Sequence, residues 1–311
     1  MSLLPLFVDS QYEMRSGWKF LAYSILLVFL FWAAGNSIGM FAVWLDPSVA
    51  FLSQEDVRFL GLNAIVLFVP AILALLAMAR FVDRVPVSVF GVTAHSGCLR
   101  DLGVGVAIAA AMLALTLAGA FVFGTARVEW NASGSAIPTI GLTLAVLALG
   151  ALNEELVFRG YPFQVFLKGI GRWGAMLLIS SIFGLLHIGN EGATTVSTLN
   201  TILAGVLLCL AYLRTRSLWL PYGIHIGWNA GLAVVLGYPV SGIDTVSILK
   251  TTVSGPAVLL GGSYGPEDGL LATVIFLAGA IAVSRLPIAT VSPQMEATLA
   301  AYSGKVYNKQ S

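Results

Sequence analysis

Residues 137 to 152 carry no charge, and the next seven place Asn153, Glu154, Glu155 and Arg159 in the stretch A-L-N-E-E-L-V-F-R-G-Y, 151–161. Further apolar runs occupy 20–45, 59–79, 102–124, 173–187, 194–213, 218–237 and 269–284. A helix needs roughly 20 apolar residues to cross about 30 Å of hydrocarbon, and most of these runs come close to or exceed that; 269–284 is short. In lipid every backbone N–H and C=O must be satisfied inside the segment, so such runs must be helices. The expected fold is all-α: a polytopic membrane helical bundle of about eight transmembrane helices. It reads as one membrane domain in three stretches, with 1–136 holding helices one to three, 137–237 a core of helices four to seven, and 238–311 a loop, the last helix and a tail.

Of the 311 residues 58% are hydrophobic and 10% charged, against about 25% charged in a soluble domain. No polar segment is large enough to be a soluble catalytic domain. A net charge of +1 gives no reason to expect nucleic acid as a partner. Cys98 falls in a loop and Cys209 in an apolar run, so neither a disulfide nor a thiolate metal site is expected. The run 20–45 is too long for the apolar region of a cleavable signal.

Loops holding excess Lys and Arg face the cytoplasm. Arg15 and Lys19 precede the first run, Arg80, Arg84 and Arg100 flank the loop after the second, Lys168 and Arg172 follow the fourth, and Arg214 and Arg216 follow the sixth. Arg285, Lys305 and Lys309 follow the eighth. The alternate loops hold Asp46, Glu55, Asp56, Arg58, Arg127, Glu129, Glu191, Asp244, Lys250, Glu267 and Asp268. Eight spans with both termini cytoplasmic fit this alternation.

Ionisable groups at membrane depth are costly and mark functional sites by default. Adjacent helical residues diverge by about 100°, so Glu154 and Glu155 cannot face one point. Glu155 and Arg159 have the favourable i,i+4 order for a same-face pair. That pairing leaves Glu154 to face the interior as a candidate general base; a purely structural ion pair is the alternative. Gly169-Ile170-Gly171, between Lys168 and Arg172, reads as a turn. Glu154 lies 15 residues before it and His187 16 residues after it, about 22 and 24 Å of helix. An antiparallel hairpin would therefore bring them to one depth, with Gly160 and Pro162 expected to kink its first arm. His225 and Asn229, four apart, share a face. They lie 9 and 13 residues beyond Arg216, about 14 and 20 Å, so Asn229 matches the depth better. Interhelical hydrogen bonding is their alternative role. His95, in a loop, reads as incidental. Gly103, Ala107 and Ala111 are spaced for close helix packing.

These residues resemble the CPBP family, the CAAX-processing and bacteriocin-processing intramembrane proteases. Its E-E-x-x-x-R motif is matched by Glu154, Glu155 and Arg159, its F-x-x-x-H by Phe183 and His187, and its H-x-x-x-N by His225 and Asn229. The run 200–221 is also similar, and the resemblance spans roughly 144–231. Pro162 departs from it, since an aliphatic residue is commoner there. The resemblance implies peptide-bond hydrolysis within the membrane. Glu154 and His187 would polarise a water, His225 and Asn229 would bind the oxyanion or orient the water, and Glu155, Arg159 and Phe183 would support them.

No cofactor is required by the sequence. Glu154, His187 and His225 would nevertheless make a His₂Glu set of the catalytic zinc type, although the H-E-x-x-H helix is absent; zinc and a metal-free site both stay open. The implied partners are membrane lipid and a peptide or protein substrate, a prenylated CAAX-type one among the candidates, entering from the cytoplasmic side. Two other readings compete: a proton-coupled transporter, which would call for repeats and interrupted helices, and a non-proteolytic scaffold or immunity-type protein.

Overall fold

The computed structural model describes residues 4–8, 13–51 and 56–306. Its principal helices are α1 (Ser16–Leu45), α2 (Val57–Ala77), α3 (Cys98–Phe123), α4 (Ile137–Glu155), α5 (Tyr161–Leu186), α6 (Thr195–Thr215), α7 (Trp219–Ala230), α8 (Leu270–Arg285) and α9 (Pro293–Val306). One small antiparallel sheet pairs β1 (Thr125–Trp130) with β2 (Leu249–Ser254), Thr125 opposite Ser254. Among the described residues, five helical stretches could cross a membrane by length and composition, and the fold is the expected all-α membrane bundle.

One of the five, Gly134–Gly189, is 56 residues long and takes in α4 and α5. As a straight rod it would measure about 84 Å, far more than a bilayer. Gly171 breaks it, with φ +71° and ψ 174°. That conformation suits a residue without Cβ, and it falls in the expected turn. The other spans expected from sequence beyond these five are shorter: α8 has 16 residues, and α7 has 12 before a π turn over Gly231–Leu236.

Hydrogen bonds tie the connecting segments into two groups at opposite ends of the helices. At one end Leu218 N donates to Gly91 O, Trp219 Nε1 to Thr93 O, Arg214 to Ala289 O and Leu286 O, and Lys168 to Glu13. This end carries Arg80, Arg84, Arg100, Lys168, Arg172, Arg214, Arg216 and Arg285, and is called the basic face below. At the other end β1 meets β2, Asn131 donates to Ser247, Asn190 to Ser241 O, and Thr194 to Asp268. Among the described residues its Lys and Arg are Arg58, Arg127 and Lys250. Glu55 and Lys309, counted in the charge alternation, lie outside the described residues, as does the side chain of Lys305.

His95 is a pin in the basic face rather than an incidental loop residue. Gly97 N donates to its Nδ1, 3.1 Å, so the ring proton sits on Nε2, which meets Ser217 Oγ at 2.9 Å. Burial, the dominant cause, lowers its pKa from the usual value and keeps this neutral form.

Helices α3 and α7 pack backbone against backbone. A Cβ on Gly223 would lie 2.3 Å from Leu102 O, and one on Gly105 2.5 Å from Leu220 O. The small-residue stripe read from sequence is the wrong one: Gly103, Ala107 and Ala111 are exposed, and the buried face is Asp101, Gly105, Ala109 and Met112. Four-residue spacing recurs on both stripes, which differ by two positions, about 200° round the helix. Gly223→Ala is therefore expected to cost about 1–3 kcal/mol through overpacking, seen as a lower Tm in detergent. Gly103→Ala, with nothing within 4 Å of the added Cβ, should leave Tm unchanged.

Candidate functional site

The helix that carries the two glutamates is irregular where Gly160 and Pro162 were expected to kink it. It widens into a π turn over Leu156–Gly160, leaves helical geometry at Gly160 (φ −62°, ψ −87°), and continues as α5. Pro162 has no N–H, and its ring crowds the carbonyl four residues back; an extra residue in the turn moves that carbonyl aside. π turns of this kind recur at functional sites. This one carries Arg159 into the interior, where both it and Glu155 are wholly buried.

Arg159 Nη1 donates to Glu155 Oε1 at 3.0 Å. His225 Nδ1 lies 2.8 Å from the same oxygen. Glu155 is thus shared between Arg159 and His225, a contact that the i,i+4 spacing did not reveal. A carboxylate held by Arg159 is an acceptor, so His225 Nδ1 carries the donated proton. The other nitrogen, Nε2, then points toward Glu154, with Oε2 3.7 Å away. Glu154 is about one-third exposed, and its Oε2 has no hydrogen-bond partner.

His187 follows α5 in a single 3₁₀ turn, His187–Gly189. Its Nδ1 is 2.7 Å from Phe183 O. A carbonyl only accepts, so Nδ1 bears the hydrogen and Nε2 keeps its lone pair. Phe183 is the aromatic centre of the cluster. Its ring lies 4.7 Å from that of His187 and 6.2 Å, edge-on, from that of His225. Arg159 Cζ sits 4.5 Å from the ring centre, within cation–π range. One side chain thereby orders two imidazoles and a guanidinium.

The depth mismatch between His225 and the Glu154–His187 pair has a structural cause. Thr215 and Ser217 are wholly buried, tucked beneath the 91–95 loop by the Gly91, Thr93 and His95 contacts. The α6–α7 connection therefore lies below the surface, and helix counted from Arg216 underestimates how deep His225 sits.

Glu154, His187, His225 and Asn229 all line one cavity of about 1320 Å³. The His₂Glu zinc set is not assembled: among the described residues no three His, Cys, Asp or Glu side chains are grouped to hold a metal ion. The same cavity is bounded by Glu267, which charge alternation alone placed in an ordinary polar loop. Trp228 Nε1 donates to its Oε1 at 2.9 Å, and Ser241 N and Oγ donate to its Oε2 at 2.7 and 3.1 Å. An acidic residue between Gly265-Pro266 and Gly269, just before an apolar run, was the available signal. Asn200 fixes the same corner by donating to Glu267 O and Gly269 O.

Residues 135–231 match the family model described as type II CAAX prenyl endopeptidase Rce1-like, a segment that contains all three motifs. A Bacillus subtilis (strain 168) protein named as a candidate membrane peptidase, YdiL, is 26% identical over 191 residues, covering 58% of this chain and 73% of its own length. No solved structure matches. Motifs, apolar helices and both matches agree: residues 135–231 are similar to the type II CAAX prenyl endopeptidase family, in a chain with several helical stretches apolar and long enough to cross a membrane.

Proposed function

We propose that this protein is an intramembrane endopeptidase that hydrolyses a peptide bond of a membrane-associated substrate with a water activated by Glu154 and His187. The observation that carries the reading is the convergence of Glu154, His187, His225 and Asn229, from three separate helices, on one cavity. Amide hydrolysis needs a base, a donor for the oxyanion and a limited supply of water.

Glu154 has an unpartnered oxygen and takes a proton from water as the oxygen attacks the scissile carbonyl. His187 orients that water through Nε2, since its other nitrogen is committed to Phe183 O. The carbonyl oxygen becomes an oxyanion, for which Asn229 supplies an amide N–H. His225, once protonated at Nε2, supplies a second donor and an adjacent positive charge. Glu155 holds the ring by Nδ1 and stabilises its charged form, as a buried carboxylate does for a catalytic imidazole. The proton held by Glu154 then passes to the departing amine, and the base is restored.

The test is turnover of quenched fluorescent membrane-anchored peptides by the purified protein in liposomes. His187→Ala and Asn229→Ala should each reduce cleavage by about 10²-fold or more. Unchanged turnover in both variants would remove the hydrolytic reading.

A further inference from the structure

The cavity is not symmetric between the two faces. Its polar boundary residues Asp56, Arg58, Asn131, Asn190, Asp244 and Glu267 all belong to the face poor in Lys and Arg. None of the segments that make the basic face lines it. Between the site and that face lies a packed layer that includes Phe90, Tyr161, Phe163, Phe166, Tyr212 and Leu218, all at most 7% exposed. Arg159 to Lys168 is nine residues, about 14 Å of helix, and this layer fills that depth. Below it the Lys19 ammonium binds Asp83, which also accepts from Tyr161 Oη at 2.6 Å.

The chain's Lys and Arg concentrate at the sealed end, and short loops rich in these residues stay in the cytoplasm. We propose that the cavity opens to the extracytoplasmic side, and that its substrate is a membrane-anchored polypeptide cut at the extracytoplasmic end of its anchor. This rests on the hydrolytic reading above and deepens it. It reverses the expectation that a CAAX-type tail enters from the cytoplasm. The walls suit such a substrate. Leu60, Ala64 and Leu67 of α2 with Leu142, Val146 and Leu147 of α4 give an apolar side for the end of an anchor. The polar rim gives hydrogen-bonding groups to the extended segment that leaves it.

The full-length chain, with Cys98→Ser and Cys209→Ala as background, tests this in right-side-out membrane vesicles. Glu154→Cys, Asp244→Cys and Arg172→Cys report on the site, the rim and the basic face. A membrane-impermeant thiol reagent should modify Glu154→Cys and Asp244→Cys before lysis and Arg172→Cys only after it. Modification of Glu154→Cys only after lysis, or not at all, would overturn the proposal, as would early modification of Arg172→Cys. Labelling needs no turnover, so an inactive protein still reports its access side. Failure of the hydrolytic reading would show separately, as cleavage undiminished by loss of His187 or Asn229. In the substrate arm, a bilayer-anchored peptide offered outside such vesicles should be cut, and a prenylated CAAX peptide sealed inside should not. The reverse outcome would assign the site to the cytoplasm.

Discussion

Glu154→Gln is expected to lower peptide hydrolysis by about 10²–10⁴-fold, the range for loss of a positioned general base, while Tm in detergent hardly moves. The separation of the two effects follows from the geometry. Glu154 Oε2 has no hydrogen-bond partner, and its nearest ionisable neighbour, His225 Nε2, is 3.7 Å away. The amide of glutamine fills the same volume and leaves the Glu155–Arg159–His225 chain in place, yet it cannot take a proton. Steady-state turnover and thermal unfolding on the same preparation measure both. Undiminished turnover would move the role of base to another group.

Arg159→Met should act the other way, mainly on folding. Arg159 and Glu155 are wholly buried 3.0 Å apart. Removing the guanidinium leaves a buried carboxylate with only the His225 Nδ1 hydrogen bond, and breaking such a pair costs about 3–5 kcal/mol. The variant also loses the contact with the Phe183 ring and a long hydrogen bond, 3.4 Å, to Gly205 O. Adding Glu155→Gln removes the stranded charge, and much of the lost stability should return. Hydrolysis should stay low in the double variant, because His225 Nδ1 no longer meets a carboxylate. Thermal unfolding of the two single variants and the double variant reads the coupling directly. An Arg159→Met protein with unaltered Tm would contradict the buried pair.

Much of this arrangement was readable beforehand because it depends on helical arithmetic. The turn at Gly169–Gly171 follows from two glycines between two cations, and equal arms of about 22 and 24 Å bring Glu154 and His187 to the same cavity. The parts that were not readable depend on how segments meet. Spacing gave Glu155 one partner, Arg159, because i,i+4 geometry sees only its own helix. The second partner, His225, lies 70 residues away and requires knowing how α7 docks between α4 and α3. That docking turns on Gly105 and Gly223, and the spacing of small residues in α3 pointed equally well to its exposed stripe. Glu267 was hidden for a similar reason: its loop folds inward only because Trp228 and Ser241 hold its carboxylate.

The packed layer between site and basic face has a consequence for the cell rather than for the substrate. A wet chamber joined to both compartments would let hydrogen ions run down their gradient whenever the protein was present, whether or not it was working. Tyr161, Phe163 and Tyr212, none of them measurably exposed, interrupt any such file of waters. A chain built this way can be made in quantity without discharging the membrane that houses it.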